Sequence, residues 1–321
     1  MLLSVRNLAT YFFLDEGLLK AVDDVSFEIA ENETVGLVGE SGCGKTVVAL
    51  SILDLIPRPG RIVQGSILLD GEEVLGASAK HIREIRGKAI GMVFQEPGAA
   101  LNPVYTVGNQ LCEVLRLHRG LSQHEAEREA VKILGETGIS EPERRVKAYS
   151  FELSGGMRQR AVIALAISAR PKLLIADEPT TALDVTVQAE ILDLLRNLQE
   201  KYKMAILLIT HDLGVVAEMA RRVFVMYTGK IVEVARTDAL FRLPKHPYTQ
   251  GLLSAVLRPG TGQDEPLQGI PGAVPDFLNL PSGCTFHPRC PISDSSCIAE
   301  FPPLRHLSYD RSCACYKVRA D

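Results

Sequence analysis

The sequence predicts an α/β fold with a mixed sheet, antiparallel strands at the N-terminal end, an α-helical insert and a small cysteine-containing C-terminal extension. Segments within the first 90 residues alternate apolar and polar positions, as half-exposed antiparallel strands do. From residue 160 onward, short apolar runs alternate with helical segments, which is typical of a parallel sheet buried on both faces. Residues 97–150 show no convincing strand pattern and indicate a helical insert.

Composition excludes several classes of protein. The 321 residues are 46% hydrophobic and 23% charged, which is too apolar for a disordered chain. The net charge of −4 provides no basic face for nucleic acid. Apolar runs such as Leu173–Ala176 fall far short of the ~20 residues that span a bilayer, and MLLSVRNLAT is too short and polar for a signal peptide. We therefore expect a cytoplasmic protein.

The N-terminal strands are predicted at LLSVRNLAT, AVDDVSFEIA and GSILLDGEEV. A further apolar strand, Thr34–Val38, leads into a glycine-rich turn that a helical segment follows. In the insert, Ser122 and Glu125 form an S-x-x-E capping box before a helix of roughly 14 residues. Its predicted buried stripe is Ala126, Ala130, Ile133 and Leu134, and its predicted stops are Gly135 and Gly138.

The C-terminal half predicts apolar strands at LLIA and AILLI, separated by the amphipathic helix VQAEILDLLRNLQEKY. VFVMYTGKIVEVA predicts a hairpin that closes at Thr228–Gly229, and HPYTQGLLSAV predicts a helix. Residues 259–283 are rich in proline and glycine, as a linker is. We place a domain boundary near residue 240, which gives domains 1–240 and 241–321.

A phosphate-binding loop is predicted directly after the strand at Thr34–Val38. The loop reads Gly39, Glu40, Ser41, Gly42, Cys43, Gly44, Lys45, Thr46, which matches G-x-x-x-x-G-K-[ST]. Glycines let successive backbone N–H groups turn onto phosphate oxygens, and the next helix points its positive end at the same anion. Lys45 reaches the β- and γ-phosphates, and the Thr46 hydroxyl is a ligand for Mg²⁺. Cys43 fills a variable position of the loop.

An acidic pair ends the predicted strand LLIA, where ligands bind in open α/β sheets. Asp177 is predicted to hold Mg²⁺, directly or through water, and Glu178 to polarise the water that attacks the γ-phosphate. Ser154, Gly155 and Gly156 precede a helix, and taken alone they fit a flexible turn better than a second anion cradle. Because a nucleotide has a single γ-phosphate, a second cradle would require two chains that share two nucleotides.

The order of these motifs resembles that of the nucleotide-binding domains of ABC transporters. The phosphate loop is followed by Val93-Phe94-Gln95, then by LSGGMRQR, LLIADEP, Thr181-Ala182-Leu183-Asp184 and Ile209-Thr210-His211-Asp212. The resemblance covers residues 1–240 and implies a P-loop NTPase fold of the ABC type, with the helical subdomain and its signature motif at about 97–160. Met157 departs from the commonest signature, and the peptide-importer branch of the family shares this departure.

Several roles follow from the resemblance alone. It implies a head-to-tail dimer in which the partner's Ser154-Gly155-Gly156 completes each ATP site and Asp184 crosses the interface. Gln95 would sense Mg²⁺ and the membrane subunit, and His211 would contact the γ-phosphate and assist Glu178. An N-terminal aromatic should stack on adenine. Phe12 matches the family spacing best, although Tyr11 and Phe13 adjoin it.

The C-terminal tail contains five of the seven cysteines. Four thiolates suit either tetrahedral Zn²⁺ or an Fe–S cluster, and the spacing of the cysteines does not choose between them or exclude free thiols. The tail, with Lys245-His246-Pro247-Tyr248-Thr249 and Phe286-His287-Pro288-Arg289-Cys290-Pro291, resembles the extension of oligopeptide/dipeptide importer ATPases. This resemblance implies a structural [4Fe–4S] cluster on Cys284, Cys290, Cys297 and Cys315, with Cys313 competing for the fourth position.

The resemblance implies the ATP-hydrolysing subunit of a bacterial importer for dipeptides or oligopeptides. Its implied cofactors are ATP and Mg²⁺. The implied partners are a second ATPase, either identical or a paralogue, two permease subunits and an extracytoplasmic peptide-binding protein, and the implied location is the cytoplasmic face of the plasma membrane. Related importers carry nickel, glutathione or antimicrobial peptides, so the solute stays open. A soluble ABC ATPase acting on DNA or ribosomes and a catalytically silent nucleotide-binding partner are further alternatives.

Overall fold

The computed structural model describes residues 1–181, 183–255, 269–308 and 310–319. The strands are β1 (Leu3–Leu14), β2 (Gly17–Ile29), β3 (Thr34–Val38), β4 (Gly60–Leu69), β5 (Glu72–Glu73), β6 (Ile90–Val93), β7 (Leu173–Asp177), β8 (Ala205–Thr210), β9 (Arg222–Tyr227), β10 (Lys230–Arg236), β11 (Arg305–Ser308) and β12 (Arg311–Cys313). The helices are α1 (Lys45–Ile52), α2 (Ala79–Glu84), α3 (Pro97–Ala100), α4 (Val107–Arg119), α5 (Gln123–Glu136), α6 (Pro142–Arg145), α7 (Gly155–Ile167), α8 (Val185–Tyr202), α9 (Leu213–Met219), α10 (Thr237–Arg242), α11 (Pro247–Ser254) and α12 (Ser295–Ala299). No helix in these described ranges is both long enough and apolar enough to cross a membrane.

The chain forms two compact units. The first contains Met1–Leu2, Ile29–Glu33 and Gly76–Leu208, and the second contains Leu3–Glu28, Thr34–Leu75 and Ile209–Asp321. In the first unit the strands lie in the order β8-β7-β6, and β6 and β7 are parallel. Because every residue of β7 and β8 is buried, these strands read in the sequence as unbroken apolar runs.

The helical insert of the first unit follows its sequence pattern. Ser122 caps α5, and both hydrogen bonds of the predicted capping box with Glu125 are present. The stripe Ala126, Ala130, Ile133 and Leu134 is buried, as predicted. The helix ends at Glu136, so Gly138, with its positive φ of 74°, follows the end, whereas Gly135 lies inside the helix. The prediction of a helical segment here is confirmed.

The second unit contains a four-stranded sheet in the order β2-β1-β4-β5, in which β4 is antiparallel to both neighbours. It also contains the strands β11-β12-β10-β9-β3, of which β3 and β9 are parallel and the other pairs antiparallel. The predicted hairpin is confirmed: β9 and β10 are joined at Thr228 and Gly229, which have φ values of 41° and 81°. Two positive φ values are what a two-residue turn between antiparallel strands requires.

The C-terminal extension packs within the second unit. Tyr248 of α11 and Phe286 lie in one buried cluster with Tyr227 of β9. β12 pairs with β10, and the buried Arg311 donates to the fully buried Glu233 of β10 at 3.0 Å. A buried ion pair of this kind is costly to break, so it anchors the extension. The predicted proline- and glycine-rich linker lies partly outside the described residues, which resume at residue 269.

Candidate active site

The phosphate loop lies in the second unit, between β3 and α1. Three of its glycines have positive φ values: 158° at Gly39, 79° at Gly42 and 106° at Gly44. A Cβ at Gly39 would stand 2.2 Å from the carbonyl oxygen of Met226, and one at Gly44 would stand 2.2 Å from that of Ala21. Only glycine fits at either position, so the loop keeps its backbone exposed to a ligand.

The Lys45 ammonium is aimed back at the loop from the first turn of α1. It donates to the carbonyl oxygens of Gly39 at 2.8 Å and Glu40 at 3.0 Å. Lys45 and Cys43 are buried, whereas Ser41, Gly42 and Thr46 are exposed. The loop therefore presents its backbone and the hydroxyls of Ser41 and Thr46 to solvent, as a phosphate cradle must.

Two residues of the C-terminal extension contact the loop at Glu40. The Arg289 guanidinium donates to both oxygens of the Glu40 carboxylate, at 2.8 and 3.0 Å. The Tyr248 hydroxyl accepts a hydrogen bond from the backbone N–H of Glu40 at 2.8 Å. Sequence reasoning missed both contacts, because no local pattern connects positions separated by more than 200 residues.

Of the three neighbouring aromatics on β1, Phe12 lies on the side of α1. Thr10, two residues before it on the same strand face, shares a buried hydrogen bond of 2.8 Å with Ser51 of α1. Tyr11 points to the opposite face, where its hydroxyl donates to Asp23 at 2.6 Å, and Arg61 lies over the ring of Phe13 at 4.0 Å. The side chains of Tyr11 and Phe13 are therefore both engaged in contacts with neighbouring side chains.

The acidic pair ends β7 in the first unit. Asp177 is buried, and Glu178 adopts a left-handed backbone with a φ of 48°. The Gln95 side-chain amide donates to the Glu178 carboxylate at 3.0 Å, and the Thr181 hydroxyl donates to the same oxygen at 2.9 Å. A non-glycine residue in this conformation is strained, and such strain collects at functional sites. The structure therefore brings two of the predicted catalytic residues into direct contact.

The Ser-Gly-Gly motif begins α7. The Ser154 side chain caps the helix by accepting from the backbone N–H of Met157 at 3.3 Å. Among the residues that the structure describes, none has an atom within 4 Å of a Cβ added at Gly155, whereas a Cβ at Gly156 would stand 3.0 Å from the Val187 side chain. The helix tip at Gly155 is thus open, with its N–H dipoles exposed as an anion site requires.

The last two predicted motif residues lie at element ends. Asp184 caps α8, where its carboxylate accepts from the backbone N–H of Val187 at 3.0 Å. His211 directly follows β8 and is exposed. Asp184 therefore has a local role in capping, in addition to the interface role that the sequence predicts for it.

The tail cysteines are close enough to influence one another. Burial raises the pKa of Cys284 to about 11, and the neighbouring Cys297, Cys315 and Cys290 add to the shift. Burial also raises the pKa of Cys290 and Cys315. Within the described ranges, no three His, Cys, Asp or Glu side chains form a group that could hold a metal ion. The geometry therefore does not support the predicted [4Fe–4S] cluster.

Cys313, the predicted competitor for the fourth position, lies on β12. It is fully buried and pairs with Glu233 of β10 in the sheet register. Burial and then the charge of Glu233 are the main causes that raise its pKa. Of the two candidates, Cys315 is the one whose charge contributes to the raised pKa of Cys284.

Two family models match the chain. The ABC transporter model covers residues 22–181, and the model for the oligopeptide/dipeptide transporter C-terminal region covers residues 232–297. The oligopeptide transport ATP-binding protein AppD of Bacillus subtilis is 48% identical over 98% of this chain and 96% of its own length. The dipeptide transport ATP-binding protein DppD of Escherichia coli is 45% identical over 98% of this chain and 96% of its own length.

Solved structures agree with the fold. A dimer of the bacterial ABC transporter cassette MJ0796 in a post-hydrolysis state, bound to ADP and Pi, matches with a TM-score of 0.66 and 27% identity. That match covers 73% of this chain and 98% of the cassette. CbiO1 from Clostridium perfringens matches with a TM-score of 0.64 over 75% of this chain and 91% of its own length, at 27% identity. The predicted α/β fold of the ABC type is therefore confirmed, and the chain belongs to the ABC transporter family of ATP-binding subunits, in the branch with the oligopeptide/dipeptide transporter C-terminal region.

Proposed function

We propose that this chain is the ATP-hydrolysing subunit of a bacterial importer for dipeptides or oligopeptides. One observation carries the proposal: the phosphate loop, the acidic pair and the Ser-Gly-Gly helix tip occur together with a peptide-transporter C-terminal region in a single chain. Relatives that match this chain over almost their whole length are named as oligopeptide or dipeptide transport ATP-binding proteins.

In the proposed ATP complex, the phosphates lie against the backbone N–H groups of residues 39–46. Lys45 turns its ammonium from the loop carbonyls to the β- and γ-phosphates. The oxygen atoms of Thr46, Gln95 and Asp177 are the hard ligands that Mg²⁺ prefers, and a bound Mg²⁺ supplies neutralisation of phosphate charge. The Phe12 ring stacks on adenine; its place on the α1 side of β1 supports this assignment.

In the proposed hydrolysis step, a water attacks the γ-phosphorus in line with the bond to the leaving ADP. Glu178 accepts the proton of that water, the P–O bond to the β-phosphate breaks, and ADP and phosphate leave. Gln95 orients the carboxylate through their 3.0 Å hydrogen bond. His211 contacts the γ-phosphate and assists Glu178.

Two ATPase subunits close head to tail around two nucleotides in this proposal. Ser154, Gly155 and Gly156 of each subunit bind the γ-phosphate held by the other, and Asp184 lies at the interface. The open helix tip at Gly155 supports this assignment, because a Cβ added there meets none of the described residues within 4 Å. Closure on ATP and reopening after hydrolysis drive the attached permeases.

The permease contact is assigned to the helical insert. A groove of about 620 Å³ is lined by Tyr105, Asn109, Gln110, Cys112, Glu113, Arg116, Leu117 and Gln123. Tyr105 and Leu117 are 54% and 74% exposed, so they offer apolar surface to a short helix of another subunit. The proposed complex contains two permeases, a second ATPase and an extracytoplasmic peptide-binding protein, and this chain lies on the cytoplasmic face of the membrane.

The domain division into residues 1–240 and 241–321 stays part of this proposal. A [4Fe–4S] cluster on Cys284, Cys290, Cys297 and Cys315 stays a prediction from the resemblance.

The function is tested by purifying the affinity-tagged chain with its membrane subunits and reconstituting the complex in vesicles. We expect two permeases and a second ATPase to co-purify, and ATP-dependent uptake of labelled dipeptides or oligopeptides when the binding protein is added. A Lys45→Ala complex is the matched control and should transport nothing. Uptake of nickel or glutathione without peptides would contradict the peptide assignment, and recovery with nucleic acid instead of membrane subunits would contradict transport altogether.

A further inference from the structure

We propose that Arg289 of the C-terminal extension is a positioning residue for the phosphate loop, which it holds ready for ATP by neutralising and fixing Glu40. This inference rests on the proposed ATPase function. It assigns the extension a direct part in nucleotide affinity, through a residue that contacts neither phosphate nor the attacking water.

The contact between the two side chains is geometrically complete. Arg289 donates from Nη1 to one Glu40 oxygen at 2.8 Å and from Nη2 to the other at 3.0 Å. The arginine side chain is 5% exposed and the glutamate side chain 26% exposed, so the pair lies largely out of water. Bidentate pairs of this kind are stronger and more directional than ordinary surface ion pairs.

The guanidinium is itself held from its other sides. Its Nε donates to the backbone carbonyl of Pro271 at 2.9 Å, and Nη1 lies 3.4 Å from the Tyr227 hydroxyl. The rings of Tyr227 and Phe286 flank it, each with its centroid 6.0 Å from the guanidinium carbon. A long side chain that is fixed in this way loses little further freedom when it binds Glu40, so it can hold the loop rigidly.

Every polar group of residue 40 is engaged. Its N–H donates to the Tyr248 hydroxyl at 2.8 Å, its carbonyl accepts from Lys45 at 3.0 Å, and its carboxylate accepts from Arg289. Two of these three partners belong to the extension. Tyr248 is fully buried, and its ring centroid lies 4.5 Å from that of Tyr227, so the hydroxyl stands in a fixed place.

A glycine-rich loop needs such support. Gly39, Gly42 and Gly44 allow the required backbone angles but do not enforce them, so the loop gains its rigidity from its surroundings. A preorganised loop binds phosphate more tightly because less conformational freedom is lost on binding.

Charge gives Arg289 a second effect. A glutamate within the phosphate loop adds a negative charge beside a ligand that is itself strongly negative, which opposes binding. The Arg289 guanidinium cancels that charge at the same place. Removal of the arginine therefore exposes an uncompensated carboxylate to ATP, whereas removal of the carboxylate leaves an uncompensated positive charge.

The two substitutions leave opposite charges behind, so their effects on ATP affinity distinguish a role in positioning the phosphate loop from a purely structural role. If Arg289 only fastened the extension, breaking the ion pair from either side would change nucleotide affinity equally or leave it unchanged. If it serves the phosphate loop, loss of Arg289 weakens ATP binding more than loss of the Glu40 carboxylate does, because only the former leaves an uncompensated negative charge beside the phosphates.

The test measures the dissociation constant of ATP for the full chain by titration without Mg²⁺, which prevents turnover, and measures the melting temperature in parallel. We expect Arg289→Met to weaken binding about tenfold. Arg289→Lys, which keeps the charge but loses the bidentate geometry, should fall between Arg289→Met and the wild type. We expect Glu40→Gln, whose amide oxygen can still accept a hydrogen bond from Arg289, to weaken binding less than Arg289→Met does. We expect Arg289→Met combined with Glu40→Gln to recover at least half of the affinity that Arg289→Met loses, on a logarithmic scale.

Arg305→Met is the matched control. Arg305 belongs to the same extension but donates to the backbone carbonyls of Cys315 and Val318 instead of to the loop. We expect the affinity of the Arg305→Met variant for ATP to equal that of the wild type.

Provided that the wild type binds ATP, the inference would be overturned if Arg289→Met and Glu40→Gln weakened ATP binding equally, or if neither weakened it. Failure of the wild-type chain to bind ATP at all would instead contradict the proposed function. If Arg289→Met does not fold, Arg289→Lys takes its place in the comparison. Weaker ATP binding by Arg289→Lys than by Glu40→Gln supports the inference, and equal ATP binding by the two variants overturns it.

Discussion

The side-chain amide of Gln95 donates a 3.0 Å hydrogen bond to the carboxylate of Glu178, which joins two motifs that lie 83 residues apart in the chain. The Thr181 hydroxyl donates to the same carboxylate oxygen, so the glutamate is oriented from two sides. Its backbone is left-handed, with a φ of 48°, and it directly follows Asp177, the last residue of β7. An oriented carboxylate at the end of a strand has the position that a general base needs.

Glu178→Gln should separate ATP binding from hydrolysis. Glutamine keeps the shape of the side chain but cannot accept the proton of the attacking water, so we expect turnover to fall by about 10²–10⁴-fold. ATP affinity should stay within about threefold of the wild type, because no contact to the phosphate loop changes. Single-turnover hydrolysis and nucleotide titration measure the two quantities. Equal hydrolysis rates in the variant and the wild type would remove Glu178 from the proposed role.

Gly155→Asp should affect assembly and stability in opposite directions. An aspartate in the first turn of α7 complements the helix dipole, and its Cβ meets none of the described residues within 4 Å, so we expect the free energy of unfolding to be equal or higher by ~0.3–1 kcal/mol. The same carboxylate would face the γ-phosphate of the partner's ATP and should abolish dimer formation.

Light scattering with ATP in the Glu178→Gln background measures this assembly. Gly155→Ala, which adds a methyl group without charge, is the control and should retain most of the dimer. If Gly155→Asp forms the ATP dimer as readily as its parent, the proposed contact between the helix tip and the partner's nucleotide is wrong.

Local patterns predicted most of the fold. The capping box of Ser122 and the hairpin at Thr228–Gly229 are encoded within a few residues, and both appear where the sequence places them. β6 was missed because it has only four residues and contains Gly91, a weak strand former. Tertiary packing requires glycine at this position, because a Cβ there would stand 2.2 Å from the carbonyl oxygen of Ala166.

The extension was the least predictable part. β12 has three residues, and it is a strand because it pairs with β10 and β11. The bonds of Arg289 and Tyr248 to Glu40 join positions that only the folded chain brings together. In the site, the sequence placed the phosphate loop between a strand and a helix and the acidic pair at a strand end, but it could not show that Asp184 caps α8.

Iron and sulfide analysis of the anaerobically purified chain shows whether the tail cysteines bind the [4Fe–4S] cluster that the resemblance implies or are free thiols. The resemblance predicts about four irons and four sulfides per chain. Cys315→Ser should then lower both contents and Cys313→Ser should not, because Cys313 is buried in the sheet opposite Glu233. Fully folded protein without iron or sulfide would show that the thiols stay free.

His246 should make the stability of the second unit depend on pH. It is 1% exposed, and burial lowers its pKa from 6.5 to about 4, against an opposing hydrogen bond with the Ala314 backbone. The folded state therefore prefers the neutral imidazole, whose Nδ1 accepts from the backbone N–H of Tyr248 at 3.1 Å. The unfolded chain binds a proton already near pH 6.5, so between pH 6.5 and 4 it holds more protons than the folded chain, and the free energy of unfolding rises with pH.

This one histidine should therefore remove ~2 kcal/mol of stability between pH 7 and pH 5, at ~1.4 kcal/mol per pH unit below 6.5. Urea unfolding at a series of pH values measures the slope. In His246→Asn, asparagine keeps a cap acceptor for α11 but cannot titrate, so we expect the slope in this window to be shallower by up to that amount. His124→Asn, at an exposed position on α5, is the control and should leave the slope as it is. A slope that is unchanged in His246→Asn would mean that the imidazole is protonated alike in the folded and unfolded chains, and that its burial carries no energetic cost.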